Sequence, residues 1–359
     1  MPERVPVGFG RRAEGGAAGA AGAGRTVEVV PGTTALDDDL AASLLPARPE
    51  RGHKGMFGKL LVLAGSLDYA GAALLVCRAA GRAGAGLVTL AVPESLQPLF
   101  AAKVVEATTM GLPEDDVEEV DPEQALGRIL DHDHDAIVVG PGLKPGLATT
   151  ELISALLAVP EEPAPVPAVV DAEALRSLAS LDAWWEGVTR RAVLTPHVGE
   201  FRRLRAASGS DPDADGDLLA DDTARARAAA TAAERWGQVV VLKGARTVIA
   251  EPEGSIAVAP FENPALASGG TGDVLSGTIG ALLAQGVEPF AAARLGVYLH
   301  GLAGEAVRQR IGDAGLLASD LPDEVAFARR RLALLAARRS SGRRLGFGAR
   351  AASPGETLR

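Results

Sequence analysis

From residue 59 onward, short apolar runs alternate with longer stretches that repeat at helical spacing. KLLVLAG (59–65), GLVTLAV (86–92), DAIVVG (135–140), PAVVDA (167–172), AVLTPH (192–197) and VVVLKG (239–244) are apolar on consecutive positions. Strands covered on both faces have that pattern, whereas a half-exposed strand would alternate. Between them, GAALLVCRAAGRA (71–83), PESLQPLFAAK (93–103) and ATTELISALLAV (148–159) read as helices. The alternation predicts an α/β fold with a mostly parallel central sheet and helices on both faces.

In such sheets ligands sit outside the carboxyl ends of the strands, so the chemistry should follow each apolar run. SLDYAGA follows the first run, PGLKPG follows DAIVVG, DAEAL follows PAVV, PHVGE follows AVLT and KGART follows VVVL. Five strand ends therefore carry Gly, Asp, His, Lys or a turn, and all are expected to face one crevice. No repeat or Pro/Ser linker divides this section, which predicts a single domain over 27–335. The Gly/Ala-rich residues 1–26 and the basic residues 336–359 lack the apolar content to offset their ordering entropy, and both read as disordered tails.

Composition narrows the function classes. The net charge of −10 argues against a protein that coats nucleic acid or an anionic membrane, so an anionic ligand must be held by local geometry. One cysteine, Cys77, excludes an internal disulfide framework, suits a reducing cytosol, and lies in an apolar run as a buried, inert thiol. MPERVPVGFGRRAEGG has no apolar stretch behind its arginines and is no signal peptide. The longest charge-free apolar segment, 274–287, is too short to span a bilayer. A soluble, cytoplasmic protein is expected.

Two nucleotide signatures are excluded. GHKGMFGKL lacks the glycine spacing of a P-loop and has Leu60 where Ser or Thr should follow the lysine, and neither GAGLVT nor GTGDVL completes a G-x-G-x-x-G. SGGTGDVLSG offers another route to phosphate: Gly269, Gly270 and Gly272 let backbone N–H groups turn toward one point, and helical spacing begins at Val274. Asp273 sits in that stretch either as a helix cap or as a base that deprotonates a hydroxyl beside the bound phosphate. The surrounding glycines favour the base, since a cap alone gives little reason for their backbone entropy. Other positions keep two readings. His197 is structural or a ligand contact, Lys243 a solvated strand end or a phosphate partner, Gly142 a turn residue or a site residue. Asp171 reads as a cap for the next helix, and Glu200 as a solvated residue or a neighbour of metal-bound phosphates. The DHDHD cluster at 131–135 has ligand-type residues, but neighbours in an extended stretch diverge, so it reads as a solvated loop.

NPALASGGTGDVLSG, KGARTVIAEPEG, LTPHVGEFRRL, VVGPGL, HKGMFGKLLVLAGSLDYAGAALL and YLHGLAGE together resemble the ADP-dependent (S)-NAD(P)H-hydrate dehydratases, the carboxy-terminal-type YjeF family with a ribokinase-like fold. The resemblance runs from about His53 to about Leu321. It implies a three-layer ribokinase-like fold and the repair of hydrated NADH or NADPH at the expense of ADP (or ATP) with Mg²⁺, giving NAD(P)H, AMP and phosphate. It implies further that Ala72, Gly142 and His197 line the site for the hydrated nucleotide and that Lys243, Gly244, Ala245, Arg246 and Thr247 hold the adenylate of the phosphate donor with Gly272. Asp273 is then the catalytic base, also beside the substrate, and glycine loop 269–272 the anion hole; the metal ligands stay unassigned. Two departures stand out: Thr271 where Ser is usual, which keeps the hydroxyl, and FENPAL where the usual form is close to TGNPGM. About 50 residues precede His53, too few for the epimerase domain of many bacterial relatives, so a separate NAD(P)H-hydrate epimerase is the expected functional partner. Helices of this fold often pair between subunits, which leans toward a homo-oligomer. A ribokinase-like small-molecule kinase and a nucleotide sensor without turnover are the alternatives. A kinase would leave a stable phosphoester, and a sensor would release no phosphate.

Overall fold

The computed structural model describes residues 30–345 apart from 118, 160–164 and 212–215, with side chains described to residue 339. Its strands are β1 (Thr34–Ala35), β2 (Lys59–Leu63), β3 (Leu87–Pro93), β4 (Thr108–Leu112), β5 (Glu114–Asp116), β6 (Glu119–Val120), β7 (Ala136–Val139), β8 (Ala168–Val170), β9 (Ala192–Leu194), β10 (Val239–Leu242), β11 (Val248–Ala250) and β12 (Ile256–Val258). The α-helices are α1 (Asp38–Ser43), α2 (Ala70–Ala83), α3 (Gln97–Ala101), α4 (Pro122–Leu130), α5 (Leu147–Leu157), α6 (Glu173–Leu178), α7 (Val198–Ala207), α8 (Asp222–Trp236), α9 (Thr271–Ala284), α10 (Pro289–Ile311) and α11 (Leu321–Leu345).

Each strand distributes its apolar side chains to two cores, which is why the runs are continuous rather than alternating. Leu60 and Val62 of β2 join one core with α2, α9, α10 and α11; Leu61 and Leu63 join the other with α4 to α8. Ten strands form one sheet in the order β1-β12-β11-β10-β9-β8-β7-β2-β3-β4. From β10 to β4 every neighbour is parallel, and β11 alone runs antiparallel to both of its neighbours. The expected three-layer arrangement is what the chain adopts, and β2, β3, β7, β8, β9 and β10 fall on the six apolar runs.

Helix α9 carries the SGGTGDVLSG motif and is buried almost throughout. It lies across β2, β7 and β8 and between α2 and α10. Its closeness to α2 depends on Gly277, where an added Cβ would stand 2.4 Å from the Val76 carbonyl oxygen. A backbone atom cannot rotate aside, so Gly277→Ala must push the two helices apart. A loss of about 1–3 kcal/mol is expected, read as a lower urea midpoint at unchanged slope.

One expectation needs correcting. The stretch placed in a basic tail from 336 is helical as far as Leu345, where α11 ends. Leu335 and Ala336 pack on the core, Arg339 pairs with Asp39 of the first helix, and Leu, Ala and Arg favour helix. Residues 1–26 and 346–359 lie outside the described residues. No helix of the described residues is long and apolar enough to cross a membrane.

Candidate active site

The loops after β8, β9 and β10 meet because those strands are adjacent and parallel. An isolated parallel bridge between His197 and Lys243 extends the β9–β10 pairing into the loops and sets PHVGE beside KGART. His197 then starts α7: its Nδ1 accepts from Gly199 N–H (3.0 Å) and Glu200 N–H (3.3 Å), and Glu200 Oε2 accepts from His197 N–H (2.9 Å). With Nδ1 spent as an acceptor, a neutral ring carries its proton on Nε2, directed from an exposed position. Glu200 is buried, which corrects the solvated reading, and its Oε2 is 3.9 Å from Lys243 Nζ.

Lys243 is the centre of the polar cluster. Its Nζ donates to Asp171 Oδ1 at 2.8 Å, and Ser276 Oγ, on the second turn of α9, donates to Asp171 Oδ2 at 2.6 Å. Asp171 therefore does not cap α6, where Ala172 at φ 49° takes the cap position without a side-chain bond. Burial opposes the charged form of Asp171, yet Lys243 beside it and hydrogen bonds from Lys243, Ser276 and Thr195 hold its carboxyl below the usual range. Burial likewise opposes a charged Lys243, and Asp171 and Glu200 reverse this and raise its pKa.

Glycine does its conformational work at Gly270, whose φ of +87° turns the chain into α9; Gly272 is already helical, a change from the expectation that all three glycines bend the loop. Thr271 Oγ1 donates back to Leu266 O (2.8 Å) and Ser268 O (2.9 Å), stapling the loop. The first-turn amides of α9 have no acceptor inside the helix and present the positive end of its dipole. Asp273 lies in that turn, half-buried, and its carboxylate accepts no hydrogen bond among the described residues, so it does not cap α9. Burial, then the Asp171 charge, pushes its pKa up to about 7 against the opposing effect of Lys243. A carboxylate poised near neutrality is suited to take a proton.

A cleft of about 1040 Å³ opens beside this turn, lined by His197, Lys243, Gly244, Ala245, Thr247, Asn263, Thr271, Gly272 and His300. Arg246 is not on its wall: it turns away to Asp222 at 2.7 Å. Ala72 and Gly142 come together elsewhere on the same rim, where a Cβ on Gly142 would stand 2.9 Å from that of Ala72. Gly140 presses against the Asp171 backbone, and Gly270 against Leu75, one turn along from Ala72. The first turn of α9, which carries Asp273, thus borders the cleft through Thr271 and Gly272, while Gly270 before it packs on the helix that holds Ala72. His300 was not singled out by the sequence reading, although its YLHGLAGE motif was. It is buried, its pKa is pushed down to about 4 by burial, and Nε2 is 3.0 Å from Thr271 O. Since the carbonyl can only accept, the neutral ring donates and fixes the glycine loop from behind. The 131–135 cluster lies at the opposite strand ends, where Asp133 pairs with Lys59 and Asp135 accepts from Lys59 N–H. Cys77 is buried and its thiol is pushed up to about 12.

The strand order and the glycine-started helix give the chain the fold of a solved ribokinase-like protein. The NAD(P)H-hydrate dehydratase family profile matches residues 60–326. A bifunctional NAD(P)H-hydrate repair enzyme from Moorella thermoacetica is 43% identical over 81% of this chain and 52% of its own length, so the chain spans about half of that relative. An ADP-dependent (S)-NAD(P)H-hydrate dehydratase from Neisseria meningitidis is 36% identical over 80% of this chain and 90% of its own. Among solved structures, the ADP/ATP-dependent NAD(P)H-hydrate dehydratase from Bacillus subtilis, co-crystallised with ATP and Mg²⁺, aligns with a TM-score of 0.70 at 32% identity, covering 84% of this chain and 99% of that one. The chain belongs to the NAD(P)H-hydrate dehydratase family.

Proposed function

We propose that the protein removes water from the S epimer of hydrated NADH or NADPH, using MgADP as phosphate donor and giving NAD(P)H, AMP and phosphate. The observation that carries this reading is Asp273: a carboxylate with its pKa raised to about 7, with no hydrogen bond among the described residues, beside first-turn amides and a cleft of about 1040 Å³. Asp273 takes the proton of the hydroxyl at C6 of the hydrated ring, and that oxygen attacks the terminal phosphorus of the donor as the bond to AMP breaks. The lone pair of the ring nitrogen then expels phosphate, and loss of a C5 proton restores the dihydronicotinamide. The amides of the glycine loop stabilise the charge on the moving phosphoryl group. Ala72, Gly142 and His197 face the hydrate; Lys243, Gly244, Ala245, Thr247 and Gly272 border the donor.

Mg²⁺ enters as part of the nucleotide substrate. Among the described residues no three His, Cys, Asp or Glu side chains converge to hold a metal, which fits an ion carried mainly by phosphates. The Neisseria relative is ADP-dependent and the Bacillus protein ADP/ATP-dependent, which supports ADP as donor with ATP as an alternative. An NAD(P)H-hydrate epimerase activity is the proposed functional partner.

Mixing purified protein, chemically hydrated NADPH and MgADP is expected to restore the reduced-nicotinamide absorbance and release phosphate one for one. A stable phosphorylated product without that absorbance would make the protein a kinase. Binding of both nucleotides without phosphate release would make it a sensor.

A further inference from the structure

Asp171 belongs to no part of the reaction as written, yet it is the most constrained acid near the site. It is 1% exposed and held by two donors from different elements, Lys243 at 2.8 Å and Ser276 at 2.6 Å. The residue after it, Ala172, takes φ 49° without being glycine, and a Cβ on Gly140 would lie 1.9 Å from the Asp171 carbonyl oxygen. Such a backbone persists only where its surroundings over-determine it. The tethers also fix where the charge sits. A Cβ on Gly272 would be 3.9 Å from Asp171 Oδ2 and 3.5 Å from Lys243 Nζ, so the pair lies directly behind the first turn of α9, next to Asp273.

We infer that Asp171 is a positioning residue, a fixed negative charge behind the first turn of α9 that keeps Asp273 a strong base. The inference rests on the reading of Asp273 as the base. Like charges in a shielded site oppose one another's ionisation, and the group with more donors stays ionised. Asp171 has Lys243 and Ser276 as donors, whereas Asp273 has none among the described residues, so Asp273 is the member left to take up the proton. The Asp171 carboxyl is accordingly held below its ordinary value and that of Asp273 above it, with Asp171 the largest cause after burial. The other charged and titratable groups near the pair are Lys243, Glu200 and His197 at the β9–β10 ends, and His300 from α10, the last neutral at physiological pH.

The test follows the Asp273 carboxyl carbon by NMR through a pH titration, its signal assigned by its loss in Asp273→Asn. In the wild-type protein the midpoint is expected near neutrality; a midpoint in the ordinary carboxylate range overturns the inference without any variant. In Asp171→Asn, or in Asp171→Ser should the first variant not fold, the midpoint is expected to fall by about one pH unit or more. The acidic limb of the kcat/KM profile should move with it, while the donor KM changes little. An unmoved midpoint in a folded variant overturns the inference, as does a loss of activity with an unchanged pH profile, which would mark Asp171 as purely structural. Because the titration reads no turnover, it stands or falls separately from the base assignment, which an active Asp273→Asn protein would defeat.

Discussion

Asp273→Asn is expected to lower turnover by roughly 10²–10⁴-fold, the usual contribution of a positioned general base, while the folded protein becomes more stable above neutral pH. The two side chains are nearly isosteric, and the carboxylate loses no hydrogen bond among the described residues. The gain follows from linkage. A free Asp ionises near 3.8, and in the fold Asp273 is raised to about 7, so the folded state binds the proton more tightly than the unfolded chain does. Below about pH 4 the residue is neutral in both states and costs nothing. Between pH 4 and 7 the unfolded chain ionises first, and stability is lost as pH rises; above about 7 the full penalty is present. Asn never carries that charge. The melting temperatures of variant and wild type should therefore coincide near pH 4 and diverge progressively toward pH 8, with the inactive variant the more stable. Near wild-type phosphate release from the variant would end the base assignment, and a variant less stable at pH 8 than at pH 4 relative to wild type would contradict the shielded environment.

The sheet was legible because its strands are buried on both faces. The strand interiors LLVL (60–63), AIVV (136–139) and VVVL (239–242) have no polar position to confuse them with exposed segments, and the parallel order made one crevice of their ends. What escaped the reading was short or locally unremarkable. β11 and β12 span three residues each, enough to extend the sheet beyond β10 but too few to establish a period, and β11 runs against the direction of the strands beside it. Asp273 stood out because glycines surround it. Asp171 did not, since an acid two residues before a helix is an ordinary cap pattern. Its partners, Lys243 and Ser276, are 72 and 105 residues away, and no local signal joins them. His300 escaped for the same reason: a histidine in an apolar helix has a bland explanation until the carbonyl it reaches, 29 residues upstream, is known. Arg246 lies in the KGART segment expected to hold the adenylate; its pairing with Asp222, 24 residues upstream, is another contact that no local signal announces.

Lys243→Met is expected to destabilise the protein by about 3–5 kcal/mol at neutral pH, the usual effect of removing one partner from a buried ion pair. As a strand end Lys243 could have been a free cation whose loss touches only the nucleotide. The geometry gives it a second role, because its Nζ is 2.8 Å from Asp171 and 3.9 Å from Glu200, both buried. Methionine fills a similar volume and leaves two carboxylates without their shared cation, so what is lost is compensation for charge rather than packing. The pH dependence separates these. In the wild type the Asp171 carboxyl is held below its unfolded value, so the stability it contributes is present above about pH 4 and is lost as pH falls through the folded value. Without Lys243, burial dominates and the Asp171 carboxyl moves above its unfolded value; the variant then loses stability as pH rises from about 4. Urea denaturation at pH 5 and pH 8 should accordingly show a larger deficit at pH 8. A deficit equal at both values would assign the loss to packing. The donor KM should rise as well, since Lys243 borders the cleft. A variant of wild-type stability with only that KM raised would show that Asp171 does not depend on Lys243, and would return the lysine to the single role of a nucleotide contact.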